Sequence, residues 1–253
     1  MPSYIIPQWP APKTIKALQT TRQGGYSHAP FNGFNLAQHV HDDPQQVQCN
    51  RQYLSKQLPA EPLWLNQVHS HHIVAFDDVC SGVDADGSYT QTIGHVCLVM
   101  TADCLPVLLC NKQGTVVAAV HAGWRGLAHG IIEQAVNKVM RVGQCRSSDL
   151  LIWLGPAIGA NQFVVGEDVR QAFLATSWDR AHIHACFTQT ARKDKYRANI
   201  YHLAKAQLWH LGIENISGGN YCTYTDEELF YSYRREATTG RMATMIWLVD
   251  KPT

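Results

Sequence analysis

The sequence predicts an α+β fold in which strands and helices form packed layers. Three short apolar runs follow one another in the middle of the chain, at residues 96–100, 105–110 and 115–120, each bounded by polar residues or glycine. Such runs are typical of buried strands, and the short spacers between them favour antiparallel hairpins. From residue 127 the apolar positions recur with the period of a helix. Strands and helices mixed in this way indicate α+β layers rather than a regular βαβ winding.

The N-terminal third of the chain is predicted to contain three strands and one helix. The predicted strands are residues 15–21, 63–68 and 73–76. The helix is predicted from residue 44 or 45 to about residue 58, because Asp42 and Asp43 can cap it and Val47 and Leu54 lie near helical spacing. A loop rich in glycine, asparagine and histidine, residues 24–43, separates the first strand from this helix.

The rest of the chain continues the mixture of helices and strands. Apolar residues from Leu127 to Met140 lie on one face of a helix, which Gly143 is expected to end. The other predicted elements are strands at 150–154 and 242–249 and helices at 167–175 and 200–211. No repeat, linker or low-complexity segment divides the chain, so we expect one domain spanning residues 1–253.

Charge and composition exclude several classes of protein. The chain has 21 basic and 20 acidic side chains, a formal net charge of +1 and no run of Lys and Arg. Such a surface argues against nucleic acid or an anionic membrane as a partner. The first residues lack the features of a signal peptide, and no apolar run approaches the roughly 18 residues of a membrane span. We therefore expect a cytoplasmic protein with no membrane partner and with reduced cysteines.

The middle of the chain can bring a cysteine and a histidine together. If residues 111–114 form the turn between two predicted strands, Cys110 pairs with Thr115 and Cys104 faces His121. Directly opposed residues of an antiparallel pair have Cβ atoms about 4.5–5.5 Å apart. At that distance a thiolate and an imidazole can ligate one metal ion or share a proton as nucleophile and base. The spacing leaves both possibilities open, as well as a buried cysteine beside a strand-end histidine without function.

A third metal ligand is available between the second and third predicted strands. Residues 66–72 contain three histidines in four positions, and His69 directly follows an apolar run, as a ligand at a strand end does. His71 and His72 are equally typical of a solvated turn. One cysteine and two histidines with an open fourth position fit catalytic zinc better than a multicopper cluster, which requires additional ligands.

Eight segments spread over most of the chain carry a resemblance to a known family. They are residues 20–25 (TTRQGG), 35–36 (NL), 66–69 (NQVH), 85–87 (ADG), 101–107 (TADCLPV), 119–126 (AVHAGWRG), 154–159 (LGPAIG) and 230–235 (FYSYRR). In this order they resemble the YfiH-like polyphenol-oxidase, or laccase-domain, family. The chain departs from the family pattern at Val164, where a glutamate is common; Glu167 is the nearest acid that could replace it.

The resemblance implies a single-domain, four-layer α-β-β-α sandwich with mixed sheets. It also implies one metal ion, zinc or alternatively copper, held by His69, Cys104 and His121. Members of the family are associated with phosphorolysis of adenosine, inosine or methylthioadenosine and with adenosine deamination, and earlier with copper-dependent oxidation of phenols. The expected partners are therefore a small-molecule nucleoside and phosphate.

These activities require further residues around the metal. For deamination, Asp103 or Asp86 is expected to carry protons. For phosphorolysis, cations must hold the phosphate, a role suited to the bidentate guanidinium of arginine. The substrate-binding candidates are Arg22, Asn35, Arg125 and Arg235, with Phe31, Tyr231 and Tyr233 as candidates for stacking on the base. The family motif also places Cys222 near the site, although a buried thiol without function is equally typical of it.

Other functions remain open at the level of the sequence. A copper-dependent polyphenol oxidase is one alternative, and a hydrolase or deamidase that uses Cys104 and His121 without a metal is another. A third is a metal-binding scaffold without catalysis. The preferred nucleoside and the oligomeric state do not follow from the sequence.

Overall fold

A computed structural model describes residues 1–250 of the chain. Its strands are β1 (Tyr4–Ile5), β2 (Ile15–Thr20), β3 (Ile73–Ala75), β4 (Gly87–Thr90), β5 (Cys97–Thr101), β6 (Leu105–Asn111), β7 (Val117–Ala122), β8 (Leu150–Leu154), β9 (Val164–Gly166), β10 (Phe187–Gln189), β11 (Lys195–Ala198), β12 (Ile216–Gly218) and β13 (Met242–Leu248). Its helices are α1 (Pro44–Ser55), α2 (Trp124–Ala128), α3 (Ile131–Gly143), α4 (Glu167–Leu174), α5 (Arg180–Ala185) and α6 (Ile200–His210). None of these helices is both long and apolar enough to cross a membrane.

Two larger sheets form the centre of the molecule. One has four strands in the order β1-β2-β13-β5, and the other has six in the order β12-β8-β6-β7-β4-β3. The six-stranded sheet is mixed, because β3 runs parallel to β4 and β12 runs parallel to β8 while the remaining pairs are antiparallel. A third, small sheet has the order β10-β11-β9.

The buried side chains divide the molecule into four layers. Between the two sheets, Val99 of β5 and Ile246 of β13 pack against Leu108 of β6 and Ala119 of β7. The outer face of the four-stranded sheet is covered by α1 and the loop before it. The outer face of the six-stranded sheet is covered by the helices from α2 to α6. The structure thus confirms the predicted α+β class and the α-β-β-α order of layers.

The register of the central hairpin differs from the predicted one. Cys110 pairs with Val117 and Pro106 with His121, so opposed residues are shifted by two positions from the expected Cys104–His121 pair. The reason is that six residues, 111–116, separate the last pair instead of four: the Asn111 side chain accepts from the Thr115 N–H and donates to its hydroxyl, which removes Thr115 from the ladder. Since side chains alternate with a period of two, the shift keeps Cys104 and His121 on the same face.

The helix predicted for residues 127–140 is two helices. A short helix, α2, ends before Gly130, whose φ of 85° lies in the left-handed region and redirects the chain into α3. Glycine adopts this conformation without strain, which explains the break.

Two predictions for the N-terminal third have different outcomes. Residues 63–68 do not form the predicted strand, because only Leu63 and Asn66 make isolated β-bridges. The predicted capping of α1 is present, because the Asp43 side chain accepts from the Gln45 N–H.

Candidate functional site

Three potential metal-binding side chains meet at one end of the layer between the sheets. His69, Cys104 and His121 each offer a ligand atom, and these atoms lie within 4.8 Å of one another. Among residues 1–250 they form the one such group of three or more His, Cys, Asp or Glu side chains. His121 comes from β7, Cys104 from the residue before β6, and His69 from the loop before β3. The structure therefore brings together three residues that are 17 or more positions apart in the sequence.

A buried carboxylate fixes His121. The Nδ1–H of His121 donates to Asp86 Oδ1 at 2.8 Å, and the His121 backbone N–H donates to the Asp86 carbonyl at 2.7 Å. These contacts leave Nε2 of the ring as its available ligand atom. Burial lowers the pKa of His121, but the charge of Cys104 and the hydrogen bond to Asp86 outweigh burial and raise the pKa to about 9. A metal ion bound at Nε2 must displace the proton that the raised pKa keeps on His121.

The same carboxylate fixes the loop that presents His69. Asp86 accepts from the backbone N–H groups of Val68, His69 and Ser70 at 2.6–3.3 Å and from the Ser70 hydroxyl at 2.8 Å. His69 has a φ of 60°, a left-handed conformation that is uncommon for a residue with a side chain, and these hydrogen bonds hold it there. Burial lowers the pKa of His69, and the charge of His121 lowers it further, which favours a neutral ring.

Asp86 consequently lies behind the three donors rather than on the cavity. Its side chain is fully buried, and its two oxygens accept five hydrogen bonds. Although burial raises the pKa of Asp86, the hydrogen bonds from His121 and Ser70 outweigh burial and lower it. A carboxylate behind a metal-binding histidine sets the tautomer and the orientation of the ring. This position differs from that of the proton carrier expected from the sequence.

Gly123 lets the donors approach the start of α2. A Cβ atom at this position would lie 2.5 Å from His69 Nδ1 and 3.2 Å from Cys104 Sγ. Its φ of −65° is an ordinary value, so the glycine is required by space and not by its backbone conformation. The motif AVHAGWRG therefore contains one ligand candidate and the gap that accommodates the other two.

The donors open onto a cavity of about 560 Å³. It is lined by His39, Gln67, His69, Met100, Thr101, Ala102, Asp103, Cys104, His121, Trp124, Arg125, Ile158, Phe163, Ile200, Tyr233, Arg234 and Arg241. The apolar wall, formed by Trp124, Ile158, Phe163 and Ile200, belongs to the helix side of the six-stranded sheet. Arg241, in contrast, directly precedes β13 in the four-stranded sheet. The cavity thus lies between an apolar wall on the helix side of the six-stranded sheet and Arg241 on the side of the four-stranded sheet, and the three donors line it as well.

Asp103 lies on the cavity wall, and each of its carboxylate oxygens accepts one hydrogen bond from a neighbouring loop. Oδ1 accepts from the Thr223 hydroxyl and Oδ2 from the Arg234 backbone N–H, each at 2.6 Å. The Asp103 carbonyl accepts from the Ile158 N–H at 3.0 Å. Asp103 has a φ of 90° and forms a tight bend beside Cys104. Its hydrogen bonds join the loops of Ile158, Thr223 and Arg234 at this bend.

Three guanidinium groups line the cavity. Arg125 is exposed and stacks on Trp124, with its Cζ 4.3 Å from the centre of the ring. Arg234 is exposed and donates from Nη1 to the carbonyls of Gln162 and Val164. Arg241 is half-buried; burial lowers its pKa, an effect that the charges of Cys104 and Asp103 oppose. Of these three, only Arg125 is among the arginines expected from the sequence.

The other expected substrate-binding residues lie outside the cavity wall. Arg22 stacks over Tyr231 and donates to the Glu227 carbonyl, while Arg235 donates to three carbonyls, of Thr223, Tyr224 and Phe230. Asn35 is fully buried, and its Oδ1 accepts from the backbone N–H of Arg241 at 2.9 Å. These side chains hold loops, and Asn35 reaches the cavity only through Arg241.

The remaining candidates are distributed between the cavity and the core. Cys222 is half-buried, and its sulfur accepts from the Gly159 N–H at 3.2 Å outside the cavity wall. Of the expected aromatic residues, Tyr233 lines the cavity, whereas Phe31 and Tyr231 are buried in the core. Val164 is 41% exposed and offers its carbonyl to Arg234. Glu167, the possible replacement acid, is bound to Arg170 and Gln171.

Sequence reasoning missed several residues of the cavity. Arg234 belongs to the motif FYSYRR, but its neighbour Arg235 was the expected one, and nothing in two adjacent arginines tells which faces a cavity. Arg241 and His39 lie in loops outside the quoted motifs, so they carried no signal. Gln67 lies within NQVH, and its amide pairs with the backbone of Met100 at 2.7 and 2.8 Å, which joins the His69 loop to β5.

The fold and this site define a laccase-like α+β protein with a His-Cys-His group at the mouth of a cavity. The chain belongs to the family described as multi-copper polyphenol oxidoreductase laccase, whose sequence pattern matches residues 16–249.

Individual relatives are similar over the full length. A protein of Escherichia coli strain K12, purine nucleoside phosphorylase YfiH, is 48% identical over 252 residues, covering 98% of this chain and 100% of the relative. Purine nucleoside phosphorylase PA4543 of Pseudomonas aeruginosa is 45% identical over 250 residues, covering 99% and 100%. The crystal structure of Neisseria meningitidis protein NMB0706 superposes with a TM-score of 0.90 at 40% identity, covering 98% of this chain and 99% of that one.

Proposed function

We propose that this protein catalyses metal-dependent phosphorolysis of purine nucleosides in the cytoplasm. The observation that carries the proposal is its similarity, over the whole chain, to proteins named purine nucleoside phosphorylase. The cavity supports it, because the three donors, the apolar wall and the guanidinium groups meet in a volume of about 560 Å³, which suits a small polar ligand.

His69, Cys104 and His121 would hold the metal ion. In a tetrahedral zinc site with ordinary bond lengths, ligand atoms lie about 3.5 Å apart, so the three side chains need to close by only about 1 Å. A soft thiolate with two imidazoles and an open fourth position suits zinc, and copper also accepts this donor set. When bound, the metal supplies Lewis-acid polarisation of an oxygen or nitrogen atom at the fourth position.

The substrates would divide the cavity according to polarity. The purine is expected against Trp124, Ile158 and Phe163, where aromatic and aliphatic side chains offer apolar contact area. Phosphate requires a cationic environment, which the guanidinium groups of the cavity provide. In the reaction, a phosphate oxygen bonds to C1′ of the ribose while the C1′–N9 bond breaks. The electron pair of the C1′–N9 bond leaves with the purine, which then gains a proton.

The two aspartates of the site would serve as positioning residues. Asp86 would keep His121 with Nε2 towards the metal and would hold the His69 loop in its left-handed conformation. Asp103 would hold the loop of Tyr233 and Arg234 beside Cys104, so that this loop keeps a fixed distance from the three donors. Asp86, whose two oxygens accept five hydrogen bonds, could not accept a substrate proton without first losing one of them.

The proposal extends to a range of purine nucleosides. Adenosine, inosine and methylthioadenosine differ at C6 and at the 5′ position, and an open cavity of this size can accommodate both groups. Deamination of adenosine in the same cavity is part of the proposal: water adds to C6 of the base and the amino group leaves as ammonia, which gives inosine. The two reactions separate cleanly, because only phosphorolysis depends on phosphate.

The deciding experiment is incubation of metal-loaded protein with each nucleoside, with and without phosphate. Chromatography then resolves inosine, the free bases and ribose 1-phosphate. We expect free base and ribose 1-phosphate in equal amounts only when phosphate is present, and inosine from adenosine in both conditions. Absence of all three products from protein that contains one metal ion per chain would refute the proposal.

The family description favours one second candidate, a copper-dependent polyphenol oxidase. That activity requires copper bound by His69, Cys104 and His121 and an electron acceptor such as oxygen. It predicts oxidation of a phenol that rises with added copper, together with a visible absorption band from the copper–thiolate bond. A metal-free hydrolase using Cys104 and His121 predicts instead that full activity survives removal of the metal.

A further inference from the structure

The three cavity arginines differ in how much of each guanidinium remains available to a ligand. Arg234 uses Nη1 for the carbonyls of Gln162 and Val164 and lies exposed, with Cζ 5.6 Å from the centre of the Phe163 ring. Arg125 is exposed and lies flat on Trp124. Water competes for both side chains, because an anion beside an exposed cation gains little in a high dielectric.

Arg241 is half-buried and rigidly held, yet it has no acidic partner. Its Nη1 donates to the carbonyls of Thr239 and Gly240 at 2.9 and 3.0 Å, which leaves Nη2 and Nε free. Within the part of the chain that the structure describes, no carboxylate lies within ion-pair distance of this guanidinium. A partly desolvated cation with no carboxylate in direct contact, on the wall of a cavity, is a feature that an anionic ligand completes.

Hydrogen bonds and close packing fix the backbone at Arg241. The Asn35 side chain accepts from the Arg241 N–H, and the Leu36 N–H donates to the Arg241 carbonyl. At Gly240 a Cβ atom would meet the ring of Tyr231 at 2.7 Å and Asn35 Cβ at 2.9 Å. The segment is therefore packed between two buried residues, so the guanidinium is preorganised before any ligand arrives.

Arg241 lines the same cavity as the three donors. The charge of Arg241 acts on the pKa of His69, and the charge of Cys104 acts on that of Arg241, so the three side chains share one electrostatic environment. The apolar wall belongs to the other sheet, on the helix side, with Ile158, Phe163 and Ile200. An anion at Arg241 would thus lie on the side of the four-stranded sheet, whereas an apolar group in the same cavity would lie against the helix side of the six-stranded sheet.

We propose that Arg241 is the phosphate-binding residue of this cavity, which orients the nucleoside with its purine towards Phe163 and its C1′ towards Arg241. This assignment rests on the proposed function for the identity of the anion. Asn35 acts through Arg241 as a positioning residue. Arg125 and Arg234 at the exposed rim contribute less to phosphate affinity.

Direct binding of inorganic phosphate tests the assignment without relying on catalysis. Calorimetric titration of metal-loaded protein compares wild type with Arg241→Gln, Arg125→Gln and Arg141→Gln. Arg141 is exposed on α3 outside the cavity and controls for the change in net charge. We expect Arg241→Gln to weaken phosphate binding about tenfold or more, and Arg125→Gln about threefold or less. Arg141→Gln should bind phosphate as wild type does.

Kinetics provide the second readout. With phosphate and nucleoside varied in turn, Arg241→Gln should raise the KM for phosphate about tenfold or more and change the KM for the nucleoside by less than about threefold. If Arg241→Gln does not fold, Arg241→Lys keeps the charge but loses the planar fork and should weaken phosphate about threefold or more.

Two results would overturn the assignment. One is unchanged phosphate affinity in the folded Arg241 variant, and the other is a loss in Arg125→Gln as large as that in Arg241→Gln. Failure of the proposed function is recognised separately, as phosphate binding by wild type without any cleavage of nucleosides. In that case the loss of phosphate binding in Arg241→Gln would still support an anion site at Arg241.

Discussion

The two functional walls of the cavity are fixed in place by different means. The donor wall, formed by His69, Cys104 and His121, lies at the ends of strands or beside them and rests on the buried carboxylate of Asp86. The guanidinium wall, formed by Arg125, Arg234 and Arg241, lies mostly on loops and is held by backbone carbonyls and ring stacking. The donor wall depends on one central group, whereas each arginine is anchored independently.

This difference predicts how the two walls respond to substitution. A change at the donor wall should spread to all three donors, because the proposed metal ion would join them and because His69 and His121 depend on one buried carboxylate. A change at an arginine should stay local, since no arginine is the anchor of another. Substitutions that test this contrast are expected to range from loss of the metal to a small loss of stability.

Removal of a donor should have the largest effect. Cys104→Ala or His121→Ala leaves two ligands, so bound metal should fall from about one per chain to near zero and turnover by about 100-fold or more. Elemental analysis and the nucleoside assay measure both quantities. The matched controls are Cys80→Ala and His71→Ala, which alter exposed side chains outside the donor group. Full activity in a metal-free donor variant would instead favour the metal-free Cys/His alternative.

Asp86→Asn should have the next largest effect. An amide has an NH₂ group where the carboxylate has an acceptor oxygen, so at least one of the five donors around Asp86 is left without a partner. Metal affinity should fall about 10–100-fold, as is usual when the partner of a metal-binding histidine is replaced. Titration against a metal-binding dye, on protein shown to be folded by circular dichroism, gives the affinity.

Asp84→Asn is the matched control for this substitution. Asp84 lies two residues away, is exposed and accepts from the Asn66 side chain without touching a donor. Its replacement should change metal affinity by less than about twofold, because no donor depends on it. Equal losses in the two variants would show that general loosening of the loop, and not the contact with His121, determines metal affinity.

Gly123→Ala should have an intermediate effect confined to the donor wall. The added Cβ would lie 2.5 Å from His69 Nδ1, and the exposed His69 ring has room to move away. Since the φ of −65° suits alanine, the free energy of unfolding of the metal-free protein should change by less than about 1 kcal/mol. Metal affinity should fall about fivefold to tenfold, because displacement of one ligand is milder than its removal. An unchanged affinity would contradict the proposed role of the gap.

The donor wall was largely predictable from the sequence, since alternation along the hairpin places Cys104 and His121 on one face, although His69 lies in a loop and not at the end of the predicted strand. His69 follows an apolar run, and Cys104 and His121 share a face in any register shifted by an even number of residues. The predicted hairpin was wrong by two positions because the side-chain bonds between Asn111 and Thr115, which lengthen the loop, leave no trace in hydropathy. The α+β class was predictable from the apolar runs and the helical period, whereas the order of the four layers was implied by the family resemblance.

The guanidinium wall was predictable only in part, because long-range packing determines it. Arg125 was expected from its place beside His121 in one motif. Arg234 and Arg235 are adjacent but differ in environment. Arg234 lines the cavity, whereas Arg235 donates to the carbonyls of Thr223, Tyr224 and Phe230. Arg241 depends on Asn35, which is 206 residues away in the chain. No local pattern encodes such a contact.

The smallest effects should come from the two expected arginines that the structure places outside the cavity. Arg235 has a side chain only 11% exposed and makes three carbonyl contacts, each at 2.8 Å. Arg235→Gln should therefore lower the free energy of unfolding by about 2–3 kcal/mol. Arg22 makes one exposed contact at 3.2 Å and stacks on Tyr231, so Arg22→Gln should cost less than about 1 kcal/mol.

Urea unfolding of the metal-free protein measures both arginine substitutions against wild type. Neither should change the metal affinity or the KM for phosphate by more than about twofold, because neither side chain lines the cavity. A phosphate KM that rises in Arg22→Gln while the unfolding curve stays in place would mean that this side chain reaches the ligand, and the guanidinium wall would then have to be extended to Arg22. If stability falls in Arg235→Gln while the phosphate KM does not change, Arg235 only anchors its loop. The arginines that hold loops are then a different set from the arginines of the guanidinium wall.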